Sequence, residues 1–150
     1  MSVNIKEIVE RLIIKYGTRN PYELADYLNL LIIKQPMDML VKGFYQYYKR
    51  NGLIYINSNL KDKEQLQVCS HELGHAVMHT KMNIVFLEKC TLYSKNPFEI
   101  EANRFAAELL LPDDAFKDYF GQGYTLQQVA SDLHLHIELV KLKLEGLSNF

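Results

Sequence analysis

Cysteine is nearly absent from this sequence. Two residues, Cys69 and Cys90, are too few for a disulfide framework, so a reducing compartment, the cytoplasm, is the expected setting. Charge of one sign is missing as well: 17 basic residues face 18 acidic ones, for a formal net charge of -1, and the two signs are interspersed. That balance leaves no basic arm for nucleic acid, no membrane-surface patch and no acidic tail. Direct nucleic-acid binding is not expected from it. Long hydrophobic runs are lacking too. The longest, residues 28–33, is interrupted by Asn29 and falls far short of a bilayer span. The start of the chain is polar and carries no signal-peptide core. Repeats and low-complexity tracts are also missing. What remains is the composition of a soluble globular domain, 48% hydrophobic and 23% charged, with enough apolar residues for one real core.

The apolar spacing of Ile5, Ile8, Val9, Leu12 and Ile13 predicts a first helix over 4–16 that ends at Gly17. Asn20-Pro21-Tyr22-Glu23 opens a second, with asparagine as cap and proline at the first helical position. Residues 30–34, 41–50 and 53–57 lean towards strand, and Asn51-Gly52 reads as the hairpin turn between the last two. A small, partly antiparallel sheet is therefore expected before residue 60. Residues 61–80 contain no proline and only Gly74, and read as a helix. A loop through Cys90 and Tyr93 should follow. Asn96-Pro97-Phe98-Glu99 then repeats the cap signature and launches a helix that Pro112 terminates. Short helices are expected over 114–120, 125–133 and 137–147, with Gly121-Gln122-Gly123 as the hinge.

The chemistry sits in His71-Glu72-Leu73-Gly74-His75. Histidines four apart share one helix face, so both imidazoles reach a single ion. Glu72 lies one residue round the helix, beside the open coordination position, where it serves a water and not the metal. A catalytic zinc takes three protein ligands and keeps one position open. The stretch after His75 does not continue to a histidine behind a glycine turn, so the third ligand is sought on the Pro97 helix. Glu99, Glu101 and Glu108 are the candidates there. Glu99 and Asn103 share a face, whereas Glu101 points about 200° away, towards solvent. Glu99 then binds the ion, and Asn103 supports a histidine ring nitrogen.

Residues 71–79, together with 99–112, resemble the ImmA/IrrE metallopeptidases, and the resemblance is most specific over 68–112. It implies an α+β, gluzincin-like zincin fold: a small sheet, an active-site helix and C-terminal helix-turn-helix-like helices. It also implies one zinc per chain at His71, His75 and Glu99, with Glu72 catalytic and Asn103 four residues after the glutamate ligand. The expected activity is cytoplasmic cleavage of a DNA-binding repressor, as in the short anti-repressor proteases of mobile elements and prophages. The chain lacks the length for an added sensor domain.

Other residues carry lesser readings. His79 is expected to pack under the site, Cys69 to be core, and His134 and His136 to be exposed. Tyr45, Tyr47, Tyr48 and Tyr55 read as strand packing, and Tyr93 is a candidate oxyanion donor. The strand over 53–57 is a candidate cleft edge for an extended substrate. Residues 1–123 read as the peptidase domain and 124–150 as a helical extension packed on it. That extension either recognises a partner or completes the core, and Lys141 and Lys143 are the only positive charges on its last helix. Two rival functions stand beside the peptidase: a non-catalytic, toxin–antitoxin-like binding module, and a helix-turn-helix DNA binder with a structural metal. Glu72 argues against the first. The second would want a closed set of four ligands.

Overall fold

Local capping chemistry draws most of the element boundaries. In the computed structural model, which describes residues 4–82, 84–87 and 95–148, α1 (Ile5–Tyr16) starts where the Asn4 side chain accepts from the Glu7 amide and ends at left-handed Gly17. Asn20 likewise caps α2 (Pro21–Tyr27) by accepting from the Tyr22 amide. Strands β1 (Leu31–Gln35), β2 (Val41–Tyr48), β3 (Asn51–Asn57) and β4 (Ile84–Leu87) form one sheet in the order β1-β3-β2-β4. β1 runs parallel to β3, while β2 is antiparallel to β3 and to β4.

Two sequence expectations about the sheet are corrected here. The hairpin turns at Lys49 and Arg50, both at positive φ, and Asn51 and Gly52 already belong to β3, paired with Tyr48 and Tyr47. Gly52 packs closely: a Cβ there would lie 2.4 Å from Leu30 Cδ2, which would have to shift. β3 is also not a cleft edge, because β1 and β2 occupy both of its sides. The edge next to β2 is β4, four apolar residues inside what reads as a loop. Cys90 and Tyr93 lie outside the described residues.

α3 (Asp62–Met78) lies against the sheet. Val68, Cys69, Leu73 and Ala76 share a buried core with Tyr45, Ile54 and Ile56, and burial pushes the Cys69 thiol pKa well up, so it behaves as an inert hydrophobe. α4 (Pro97–Leu110), capped by Asn96, crosses α3 where Gly74 meets Phe105. A Cβ at Gly74 would stand 3.0 Å from the Phe105 Cβ, and Phe105 is fully buried on a helix that cannot recede locally. Gly74→Ala therefore gains about 1 kcal/mol of helix propensity and loses more to overpacking, about 1–3 kcal/mol. Thermal denaturation should show net destabilisation; an unchanged or higher Tm would mean the helices part freely at this crossing.

After Pro112 come α5 (Asp113–Gly121), α6 (Leu126–Leu133) and α7 (Ile137–Ser148). The Thr125–Gln128 capping box at the start of α6 is complete. Leu111, Phe116, Val129, Ala130 and Val140 form their core, and Leu139 packs on Ala106 and Ala107 of α4. Lys143 points inward, 1% exposed, with its ammonium on Glu108 and Asp113. It therefore offers no outward charge, and Lys141 is paired with Glu138. No helix among the described residues is long and apolar enough to cross a membrane.

Candidate metal centre

The middle of α3 is buried although it is polar: Ser70, His71, Glu72 and His75 are all inside. Burying such groups costs free energy unless they are paired or hold an ion. α4 supplies the partners from its first two turns. His71 Nε2 lies 3.1 Å from Glu99 Oε2, His75 Nε2 3.2 Å from Glu99 Oε1, and the two Nε2 atoms 3.1 Å from each other. On the far side of its ring, His71 Nδ1 donates to Asn103 Oδ1 at 2.7 Å. Because that oxygen only accepts, the proton sits on Nδ1 and the Nε2 lone pair faces inward. His75 Nδ1 makes a 2.9 Å hydrogen bond to His79 Nδ1. With the proton on His75 Nδ1, its Nε2 lone pair faces inward as well.

Three electron-pair donors thus converge where no hydrogen bond would satisfy them together. A first-row ion bound at roughly 2.0–2.1 Å in a tetrahedron spaces its donors by about 3.4 Å, close to what the protein presents. The charge states agree. Burial opposes the charge on Glu99, but its contacts with His71 and His75 outweigh that and bring its pKa down to about 2. Burial lowers the pKa of His75 and favours neutral imidazole, the ligating form. His71, His75 and Glu99 fit a metal ion.

Glu72 stands apart from this set. It is fully buried, and neither carboxylate oxygen has a hydrogen-bond partner among the described residues. Burial, then the nearby Glu99 charge, raise its pKa well above the ordinary value. Such a group is costly to keep for stability alone.

His79 packs under the site as expected, edge-on to Phe98. Glu101 differs from the expectation. It turns towards His79, with its Oε2 3.6 Å from His79 Nε2, an ion-pair distance beyond a hydrogen bond. The physical reason is that a long side chain on a crowded crossing leans to the nearest cationic or N–H group, whatever its projected angle. Glu108 is far from the centre and pairs with Lys143. Sequence reasoning missed Gln67. Its amide spans the α6–α7 connection, donating to the His134 carbonyl at 3.0 Å and accepting from the His136 amide at 2.9 Å. Spacing along one helix gives no signal for such a clamp.

Comparison with known proteins identifies a family. The model of the M78 peptidase family, described as the IrrE N-terminal-like domain, matches residues 25–145. The chain is 48% identical over 147 residues to an immunity region protein 2 of Bacillus phage phi105, covering 97% of this chain and 93% of the relative. It is also 31% identical over 153 residues to the metallopeptidase ImmA of Bacillus subtilis strain 168, covering 99% of this chain and 89% of that protein. The chain therefore belongs to the M78 peptidase family.

Proposed function

We propose that the protein is a zinc-dependent endopeptidase that cuts a DNA-binding repressor, with His71, His75 and Glu99 as zinc ligands, Glu72 as general base and Asn103 holding His71. The observation that carries this reading is the buried Glu72 carboxylate, without a hydrogen-bond partner among the described residues, beside three converging donors. Two imidazoles and one carboxylate suit zinc and leave a coordination position open, unlike the closed set of a structural site. A zinc ion held there supplies Lewis acidity to a water and to the scissile carbonyl. Glu72 takes the proton of the attacking water and returns it to the leaving amine. Asn103 and His79 fix the tautomers of His71 and His75 throughout.

A zincin-type cleft receives an extended, locally unfolded segment. The outer side of β4, unpaired among the described residues, replaces β3 as the edge on which that segment would add as an antiparallel strand. In this scheme residues 1–123 carry the chemistry and 124–150 contribute recognition, acting in the cytoplasm. The phage immunity-region origin of one relative supports a repressor as substrate. The buried Lys143 weakens the rival reading of DNA binding through the last helix. The test is to mix the protein with a helix-turn-helix repressor from the same genome. One defined product that requires Glu72 supports the proposal; equal cutting of casein points to a general peptidase instead.

Purified protein should hold about one zinc per chain, and Glu99→Ala should weaken binding beyond about 100-fold, more than removal of any supporting group. Glu101→Ala, which acts only through His79, should cost about tenfold at most. Chelator competition reads both. The opposite order of effects would make Glu101 the ligand.

A further inference from the structure

A cavity of about 250 Å³ lies beside the metal centre along α3. Val68 and His71 line it from α3, Asn103 and Ala106 from α4, and Leu135 and Leu139 from the α6–α7 region. His71 is also one of the three donors and Asn103 holds its ring, so the cavity adjoins the metal centre at that imidazole. Val68, Ala106, Leu135 and Leu139 form an apolar part of the wall, beside the polar Gln67, His134 and His136. At one side Lys42 and Glu64 approach to 4.0 Å. Charges of both signs there give no net attraction for an anion or a cation.

Size narrows the occupant further. Ligand sites for whole drug-sized molecules run to roughly 300–1,000 Å³, while an apolar cavity of about 150 Å³ already takes benzene. This space therefore suits one large apolar side chain. Its C-terminal wall is also held in place. The Gln67 amide bonds both the His134 carbonyl and the His136 amide, fixing the backbone on either side of Leu135 to the helix that carries His71. This pair of hydrogen bonds to main chain ties that wall of the cavity to α3.

We infer that this cavity is the specificity pocket of the cleft. It takes one uncharged apolar side chain, from leucine to phenylalanine in size, on a residue next to the bond to be cut. The inference rests on the peptidase reading above. It gives the C-terminal helices a role at the level of single residues: they supply the wall that reads the substrate, through Leu135.

The test uses the full chain carrying Glu72→Gln and loaded with zinc, so that binding is read without turnover. N-acetyl-phenylalaninamide and N-acetyl-alaninamide are titrated while the Leu135 and Leu139 methyl resonances are followed. The phenylalanine amide should shift both methyls saturably and bind at least about tenfold tighter than the alanine amide. Leu135→Trp, which fills the space, should abolish that preference. Leu135→Ala, which enlarges it, should keep the preference and extend it to N-acetyl-naphthylalaninamide, and decides the matter if the tryptophan variant misfolds. With Glu72 restored, peptides varied at one position beside the cut should show the same ratio in kcat/KM. Equal binding of the two amides, or shifts confined to other methyls, overturns the pocket. Preserved amide binding with no cleavage of any peptide would instead sink the peptidase reading and leave the pocket standing.

Discussion

Glu72→Gln should retain zinc and fold while peptide cleavage falls by about 10²- to 10⁴-fold, the usual share of a general base. The amide has the shape of the carboxylate, so nothing around it needs to repack, and the residue it replaces has no hydrogen-bond partner among the described residues to lose. What the amide lacks is a basic oxygen. The loss should therefore fall on kcat, with KM little changed, because Glu72 is required in the transition state and not for binding the substrate. Zinc content by elemental analysis and steady-state kinetics on the cleaved substrate read the two halves. Full activity in a variant that has kept its metal would remove Glu72 from the mechanism.

The parts of the fold that rest on local chemistry were legible from the residues. Asn20 and Asn96 cap the helices they were expected to cap, since a side chain accepting from an amide two residues on is a property of a few consecutive positions. His71, His75 and Glu99 come together as the helical spacing required. What failed depended on partners distant in sequence. Asn51-Gly52 reads as a turn, but Gly52 packs against Leu30, twenty-two residues earlier. β4 is four residues long, and its pairing with β2 decides its state more than its own composition does. Glu101 was aimed at solvent by helix angle alone, which ignores how far a glutamate bends towards His79. Lys143 was counted as surface charge because nothing in its helix shows that Glu108 and Asp113 meet it from two others.

Lys143 also carries the largest expected effect on stability. Its ammonium is held by Glu108 at 2.7 Å and by Asp113, which Lys6 of α1 also contacts, so four helices meet on one charge cluster. Removing one member of a buried ionic set costs about 3–5 kcal/mol, because the remaining charge has lost both water and partner. Lys143→Met, which keeps most of the volume, should therefore destabilise strongly in chemical denaturation. Adding Glu108→Gln should recover part of the loss, since it removes the stranded carboxylate. If the single and double variants are equally unstable, packing and not charge is responsible. The cluster also sets an acid limit. Burial opposes the ionised form of Asp113, but the hydrogen bonds from Lys143 and Lys6 prevail and bring its pKa to about 2, below about 3.9 in an unfolded chain. A depressed folded-state pKa adds stability above the unfolded value and loses it as pH falls through the folded one. The contribution is thus complete above about pH 4 and fades towards pH 2. Asp113 is partly exposed, so solvent screening reduces it to about 1 kcal/mol. Asp113→Asn should flatten the stability profile between those two pH values relative to the unsubstituted protein, a difference in which metal release at low pH cancels. A parallel slope in the two proteins would mean that the pairing with Lys143 contributes no pH-dependent stability.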